Sequence, residues 1–276
     1  MNVLSLFDGM SCGQIALNRI GIKPNKYYAS ELDKYAITVT QANYPDTIQV
    51  GDVTNWRDWG IDWASIDLLI GGSPCQGFSF AGKQLAFDDP RSKLFFVYVD
   101  ILNHIRSVNP GIKFMLENVK MKKEYLDVIS EHLGVQPVFI NSALLSAQNR
   151  QRYYWANWAF GQPEDKGILL ADIIESGAVD RDKSYCIDAN YFKGGSLKNY
   201  LDKKRRQVAL SQSETRLCVF EDDDATRPVR KLTPTECERL QTVPDNYTAH
   251  VSNTQRYRML GNGWTVDVIA HIFKGI

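Results

Sequence analysis

Cys75 stands in the run Gly-Gly-Ser-Pro-Cys-Gln-Gly-Phe-Ser at 71–79. Two glycines and a proline predict a tight turn, and a thiol on such a turn faces a cleft rather than a packed core. Backbone N–H groups or a nearby cation lower a thiol's pKa from about 8.5 and raise the fraction of nucleophilic thiolate. The plainer reading of a lone cysteine is a small buried apolar side chain, and Cys12, Cys186, Cys218 and Cys237 keep it. Glu117 ends the apolar run Phe114-Met115-Leu116. Apolar surroundings favour a carboxyl that holds its proton near neutrality, as a general acid must; a surface acid or N-cap is the alternative. Gln148, Arg150 and Arg152 alternate ahead of Tyr153-Tyr154-Trp155. The period of a strand turns the three to one side, where binding an anion or orienting a carboxylate suits them better than a core.

The elements that must position these groups alternate. Apolar runs at 3–7, 27–30, 48–50, 66–70 and 113–116 predict buried strands, with further strands at 138–140 and 152–156. Helical periodicity covers 13–20, 34–43, 92–108 and 122–132. This rhythm predicts an α/β fold, a mostly parallel sheet covered on both faces. Ligands of such sheets bind beyond the carboxyl ends of the strands. Asp8, Glu31, Asp52, Ser73-Pro74-Cys75 and Glu117-Asn118 follow the first five strands in order, which predicts one cleft. The turn from Asp8-Gly9 to Gly13 is not G-x-G-x-x-G, the form that admits a pyrophosphate. A cofactor without phosphates suits it. Glu31 lies near the spacing at which an acid meets a ribose hydroxyl, and Asp52 can accept from an adenine amino group. Together they suit S-adenosylmethionine; a plain capped βα turn is the alternative.

The chain has 276 residues, 44% hydrophobic and 23% charged, with 32 basic and 32 acidic side chains. Disorder, collagen and a coiled-coil rod are excluded. With the charges cancelling, any polyanion site must be a local patch. Five cysteines, none in CxxC spacing, and four histidines argue against a disulfide scaffold or structural zinc, and for a reducing compartment. No apolar run approaches a membrane span, and the start MNVLSLFDGMSC does not read as a signal peptide.

From 159 to 229 the rhythm breaks, and helical pattern returns at 233–240 and 266–273. The expected organisation is one domain formed by 1–158 and 230–276, with a small domain inserted at 159–229. The insert carries Lys193, Lys198, Lys203, Lys204, Arg205 and Arg206 against Asp202, with Tyr191, Phe192 and Tyr200 interleaved. Phosphate binding with base-edge contact is the functional reading; a solvated face is the alternative. The acidic run 221–224 would turn away from phosphates or meet basic residues of the same chain.

In their order, Phe7-Asp8-Gly9, Pro74-Cys75-Gln76, Glu117-Asn118-Val119, Gln148-x-Arg150-x-Arg152, Arg230-x-Leu-Thr with Glu236-x-x-Arg239-Leu-Gln, and Gly261-Asn262-Gly263 resemble the cytosine-C5 DNA methyltransferase family. Leu-Phe-Asp-Gly, Arg-Tyr-Tyr-Trp-Ala-Asn and Trp264 are similar to its animal de novo branch, while the whole is similar to bacterial and phage modification enzymes. Thr235, Thr242-Val243-Pro244 and Gly263-Trp264 depart from the family's usual residues, at structural or cofactor-edge positions. The resemblance implies a Rossmann-like S-adenosylmethionine-dependent methyltransferase sheet with a small target-recognition domain. It implies Cys75 as nucleophile, Glu117 on ring N3, Arg152 on cytosine O2 and Arg150 orienting Glu117. It places Phe7, Asp8, Gly9, Gly13, Glu31, Leu32, Asp52, Val53, Pro74, Asn262 and Trp264 at the cofactor, and Ser79 on a target phosphate. It further implies double-stranded DNA as partner, S-adenosyl-L-homocysteine as product, no metal, and a monomer working on DNA in the cytoplasm. A structured RNA substrate keeps the chemistry, but the Cys-Phe-Thr segment of the tRNA cytosine methyltransferase is missing. A catalytically dead paralogue would not need Cys75, Glu117 and both arginines.

Overall fold

A computed structural model describes residues 1–74, 93–194, 197–211 and 228–276. Cys75, Ser79, Cys218 and the acidic run 221–224 lie outside the described residues. Seven strands, β1 (Asn2–Leu6), β2 (Lys26–Ser30), β3 (Ile48–Gln49), β4 (Leu68–Gly71), β5 (Lys113–Val119), β6 (Val138–Asn141) and β7 (Gln151–Ala156), form one sheet in the order β3-β2-β1-β4-β5-β7-β6. β1 to β5 pair in parallel and β7 runs antiparallel to β5. Between the parallel strands lie α1 (Cys12–Arg19), α2 (Lys34–Asn43) and α3 (Lys93–Val108); α4 (Lys123–Leu133) follows β5. Every expected strand and helix of this region is present.

Parallel strands buried on both faces read as apolar runs, and β4, Leu-Leu-Ile-Gly, is buried throughout. Leu4, Leu69, Phe114 and Leu116 of the sheet share a core with Val99, Leu102 and Ile105 of α3 and with Tyr125 and Ile129 of α4. The spacing of the α3 residues is the stripe expected of a helix covering a sheet. Asp33 caps α2 by accepting from Tyr35 N at 2.9 Å, and Gly134, at φ 75°, closes α4.

Two compact units divide the chain: Met1–Ile140 with Gln151–Gln162 and Ala270–Ile276, and Asn141–Arg150 with Pro163–Ile269. The second is larger than the expected 159–229 insert, because 230–269 pairs with the inserted stretch. It holds α5 (Leu170–Ile173), α6 (Leu197–Lys203), β8 (Val208–Leu210), β9 (Val229–Lys231), α7 (Pro234–Leu240) and α8 (Asn253–Asn262), and the first half of α9 (Val266–Phe273). β9 pairs antiparallel with β8, the ring of Tyr257 on α8 packs tilted against that of Tyr191 with centroids 5.6 Å apart, and its hydroxyl donates to Leu232 O. α7 begins in a capping box: Thr233 Oγ1 accepts from Glu236 N, and Glu236 accepts from Thr233 N at 2.7 Å. Among the described residues no helix is long and apolar enough to cross a membrane.

Candidate active site

The β1–α1 turn is built from left-handed backbone. Phe7, Gly9 and Ser11 have φ of 58°, 60° and 64°. The curl presents Gly9 N to Glu31 Oε2 at 2.7 Å, while Glu31 Oε1 accepts from Leu32 N and Asp33 N at 2.7 and 2.8 Å. A carboxylate offers about four acceptor positions. Among the described residues three of these on Glu31 hold backbone in place, which leaves one on Oε2 for a hydroxyl. Beside it Leu32 is 70% exposed, a large apolar side chain in water at the end of β2. Asp52 caps the short turn 53–58, its Oδ1 accepting from Thr54 N and Oγ1; Val53 is buried and Pro74 half-buried. An apolar surface, a spare acceptor and a Gly9 with open space beside it fit an adenosyl cofactor.

Gly13 and Asp8 serve the turn from inside. A Cβ on Gly13 would lie 2.6 Å from Tyr27 Oη and 2.5 Å from Ile70 Cδ1, so only glycine lets α1 sit this close to β2 and β4. Asp8 is buried, accepting from Ser11 Oγ at 2.7 Å and from Tyr27 Oη at 2.8 Å. Its carboxyl braces the turn, close to the capped βα turn that was the alternative reading, and Tyr27 was not singled out. Burial pushes this carboxyl up to about 6 against its hydrogen bonds. A folded-state pKa above the unfolded value stabilises the fold below the unfolded value, and the contribution is lost as pH rises through about 6. Asp8→Asn is therefore expected to flatten the stability loss between about pH 4 and pH 7. Urea midpoints at the two pH values, compared with the wild type, measure it; an unchanged slope assigns the pH dependence to other groups.

At the fifth strand the register decides the geometry. β5 runs past the expected 113–116 to Val119, so Glu117 and Asn118 lie within the strand. The pairs Glu117↔Tyr154 and Val119↔Arg152 make Glu117 and Arg152 diagonal neighbours on one face. Arg152 Nε stands 2.9 Å from Glu117 Oε1, both side chains largely buried. The ion pair of Glu117 is thus with Arg152, where the expectation gave its orientation to Arg150. Asn118 Nδ2 donates to Ser73 Oγ at 3.3 Å, tying β5 to the segment that leads into Cys75.

Gln148 and Arg150 do not continue that face. β7 begins only at Gln151, so the alternation does not extend back to them, and both are buried. Gln148 Nε2 donates to Leu240 O and Gln241 Oε1 at 2.7 and 2.8 Å. Arg150 donates to Cys186 Sγ, Ile187 O, Gly261 O and Gly263 O. Asn262, the last residue of α8, is exposed, and Trp264 on the segment that follows is half-buried.

In the second unit Lys193, Lys198, Lys203, Lys204 and Arg205 are exposed, on α6 and the turns around it. Arg206 is half-buried, its Nη1 3.4 Å from Gly194 O. The interleaved aromatics do not share that surface as expected. Tyr191 and Tyr200 are buried, Tyr191 donating to Gln207 O and Tyr200 to Asp180. A small unit needs its own core, and Tyr200 joins Leu197 and Val208 in it. Cys12 and Cys237 are buried as expected and Cys186 is partly so, all three free thiols.

The sheet order, the glycine turn and the acids at the strand ends define a Rossmann-like fold with its cleft at the carboxyl ends of the strands. Solved structures agree on the fold: an Entamoeba histolytica methyltransferase, EhMeth, has a TM-score of 0.77 at 17% identity, covering 99% of this chain and 97% of that one. A Spodoptera frugiperda DNMT2 variant has a TM-score of 0.68 at 20% identity, covering 99% and 98%. The sequence profile of the C-5 cytosine-specific DNA methylase family matches residues 1–156 and 171–276, and the chain belongs to that family. Among its relatives, the Type II methyltransferase M.NlaX of Neisseria lactamica is 30% identical, covering 98% of this chain and 94% of that one. M.HhaI of Haemophilus parahaemolyticus is 28% identical, covering 100% and 94%.

Proposed function

We propose that this chain methylates C5 of a cytosine flipped out of a short duplex DNA site, with S-adenosyl-L-methionine as donor and a covalent Cys75–C6 adduct on the way. The observation that carries the reading is the buried Glu117–Arg152 pair at 2.9 Å. The resemblance assigns those two residues to the target base. The target atom is inaccessible in a stacked duplex, so the base must leave the stack at a cost of a few kcal/mol. The Cys75 thiolate adds to C6, and the C5–C6 π electrons make C5 enamine-like. Glu117 shares a proton with N3, so that negative charge does not accumulate on the ring, and Arg152 holds O2. The bound cofactor supplies an electrophilic methyl group. After C5 gains it, a base removes the C5 proton, that electron pair restores the C5–C6 double bond, and the C6–S bond breaks to return the thiolate.

Phe7, Gly9, Glu31, Leu32, Asp52, Val53, Pro74, Asn262 and Trp264 would hold the cofactor, with Asp8 and Gly13 shaping the turn beneath it. Residues 1–158 and 230–276 would carry the chemistry and 159–229 the choice of site, Ser79 taking a target phosphate. Similarity to Type II methyltransferases supports a DNA modification enzyme of bacterial or phage origin, which we read as a monomer working in the cytoplasm. Bisulfite sequencing of DNA from cells expressing the chain is the test: cytosines protected at one short motif support the reading, and uniform conversion overturns it.

The exposed basic residues give a second measurement. Each phosphate contact contributes about 0.9 to the slope of log affinity against log salt. Lys203→Gln with Arg205→Gln is expected to weaken duplex binding and reduce that slope by about 2. Unchanged affinity and slope would leave these charges as a solvated face.

A further inference from the structure

We infer that Arg150 is a positioning residue for the cofactor segment Gly261-Asn262-Gly263, acting through backbone rather than on the target base. The inference rests on the proposed function, which puts Asn262 and Trp264 at the cofactor. The last carbonyls of a helix have no partner within it, and a buried helix end must find donors elsewhere. α8 ends in this position. Met259 O accepts from Gly263 N at 2.8 Å. Leu260 O accepts from Gln241 Nε2 at 2.6 Å. Gly261 O accepts from Arg150 Nη2 at 3.2 Å. Gly263 O, just beyond the helix, accepts from Arg150 Nη2 at 2.8 Å and Gln241 Nε2 at 3.1 Å.

Arg150 is also suited by charge, since a cation at a helix C-terminus meets the negative end of its dipole. Its Nη1 binds Ile187 O at 3.1 Å and Cys186 Sγ at 3.3 Å, which joins the helix end to the 186–188 backbone. The approach there is close: a Cβ on Gly261 would lie 2.1 Å from the carbonyl carbon of Asp188. The two Nη atoms of an arginine carry four of its five N–H donors. All four are engaged in these contacts, so the guanidinium has no free fork to offer a cytosine or a carboxylate. Gln241 is held in turn, its Oε1 accepting from Gln148 Nε2 at 2.8 Å and Thr265 Oγ1 at 3.0 Å. Arg150 and this pair of amides hold residues 260–265 from beneath.

The test measures cofactor affinity apart from turnover, on the full chain. Arg150→Met keeps the bulk and removes the donors. Calorimetry with S-adenosylhomocysteine should show Kd raised about tenfold, and KM for the donor should rise in parallel while kcat at saturating donor falls less than about threefold. Arg150→Lys should recover part of the affinity, and Gln241→Met should weaken it in the same direction. A merely structural loss would lower the melting temperature and leave Kd unchanged in the folded protein. Wild-type Kd in both Arg150→Met and Gln241→Met, or a lost kcat with unchanged Kd in Arg150→Met, overturns the inference. A wild-type chain that binds no S-adenosylhomocysteine overturns the proposed function and this inference with it.

Discussion

Replacing Cys75 with alanine is expected to abolish methyl transfer to duplex DNA while the chain still binds S-adenosylhomocysteine. Cytosine C5 is a poor nucleophile until a thiolate adds to C6, and covalent catalysis of this kind divides one difficult step into two easier ones. Among the described residues the other thiols are Cys12, Cys186 and Cys237, the first and last of them buried. Cys237 is buried and its pKa is driven well above the usual thiol value by desolvation and by Glu236 and Glu238; Cys12 is buried on α1. A duplex carrying 5-fluorocytosine makes the result direct. Fluorine at C5 cannot leave as a proton does, so elimination is blocked and the adduct persists once the methyl group has been transferred. Wild-type protein with the methyl donor should give a DNA adduct that survives denaturation and maps to residue 75. Cys75→Ala should give none. Turnover by Cys75→Ala at a rate near the wild type would end the covalent route, whatever the family.

What was legible in the sequence follows from which interactions are local. The βα alternation of the first five strands could be read because each parallel strand is an apolar run closed by a turn, and β1 and α2 stand within a residue of their expected bounds. The acids at the strand ends were legible for the same reason. Pairing between segments distant in sequence was not. The extension of β5 over Glu117 depends on β7, with Val119 meeting Arg152, and no property of 113–119 alone announces it. For that reason alternation put Gln148, Arg150 and Arg152 on one side, whereas register brings Arg152 alone of the three to Glu117. α8 was missed because Asn-Thr-Gln-Arg-Tyr-Arg-Met-Leu-Gly-Asn is polar and buries only Tyr257, Met259, Leu260 and Gly261. Its end is held by side chains more than 100 residues earlier and 20 residues earlier, Arg150 and Gln241. Tyr191 and Tyr200, interleaved with lysines, read as part of a surface making base-edge contacts, yet both are buried, Tyr200 in the core of its own unit.

Glu117→Gln tests the second half of the chemistry. Glutamine has nearly the shape of glutamate and can still reach ring N3 with an N–H, but it cannot give up a proton as charge develops. Proton transfer by a positioned side chain contributes about 10²–10⁴-fold, and a loss of that size in the single-turnover rate is expected. The substitution also removes the carboxylate that stands 2.9 Å from Arg152 Nε in a largely buried setting. A largely buried charge that loses an opposite charge is costly, so a fall in stability should accompany the loss in rate, and Arg152→Gln measured beside it separates the two effects. If Glu117 served only to neutralise Arg152, the double variant would regain both stability and rate. If Glu117 acts on N3 and Arg152 on O2, the double variant regains stability while its rate stays at or below that of Glu117→Gln. A single-turnover rate for Glu117→Gln within about threefold of the wild type would remove the proton from the mechanism. The buried pair would then be a fixture of the β5–β7 register.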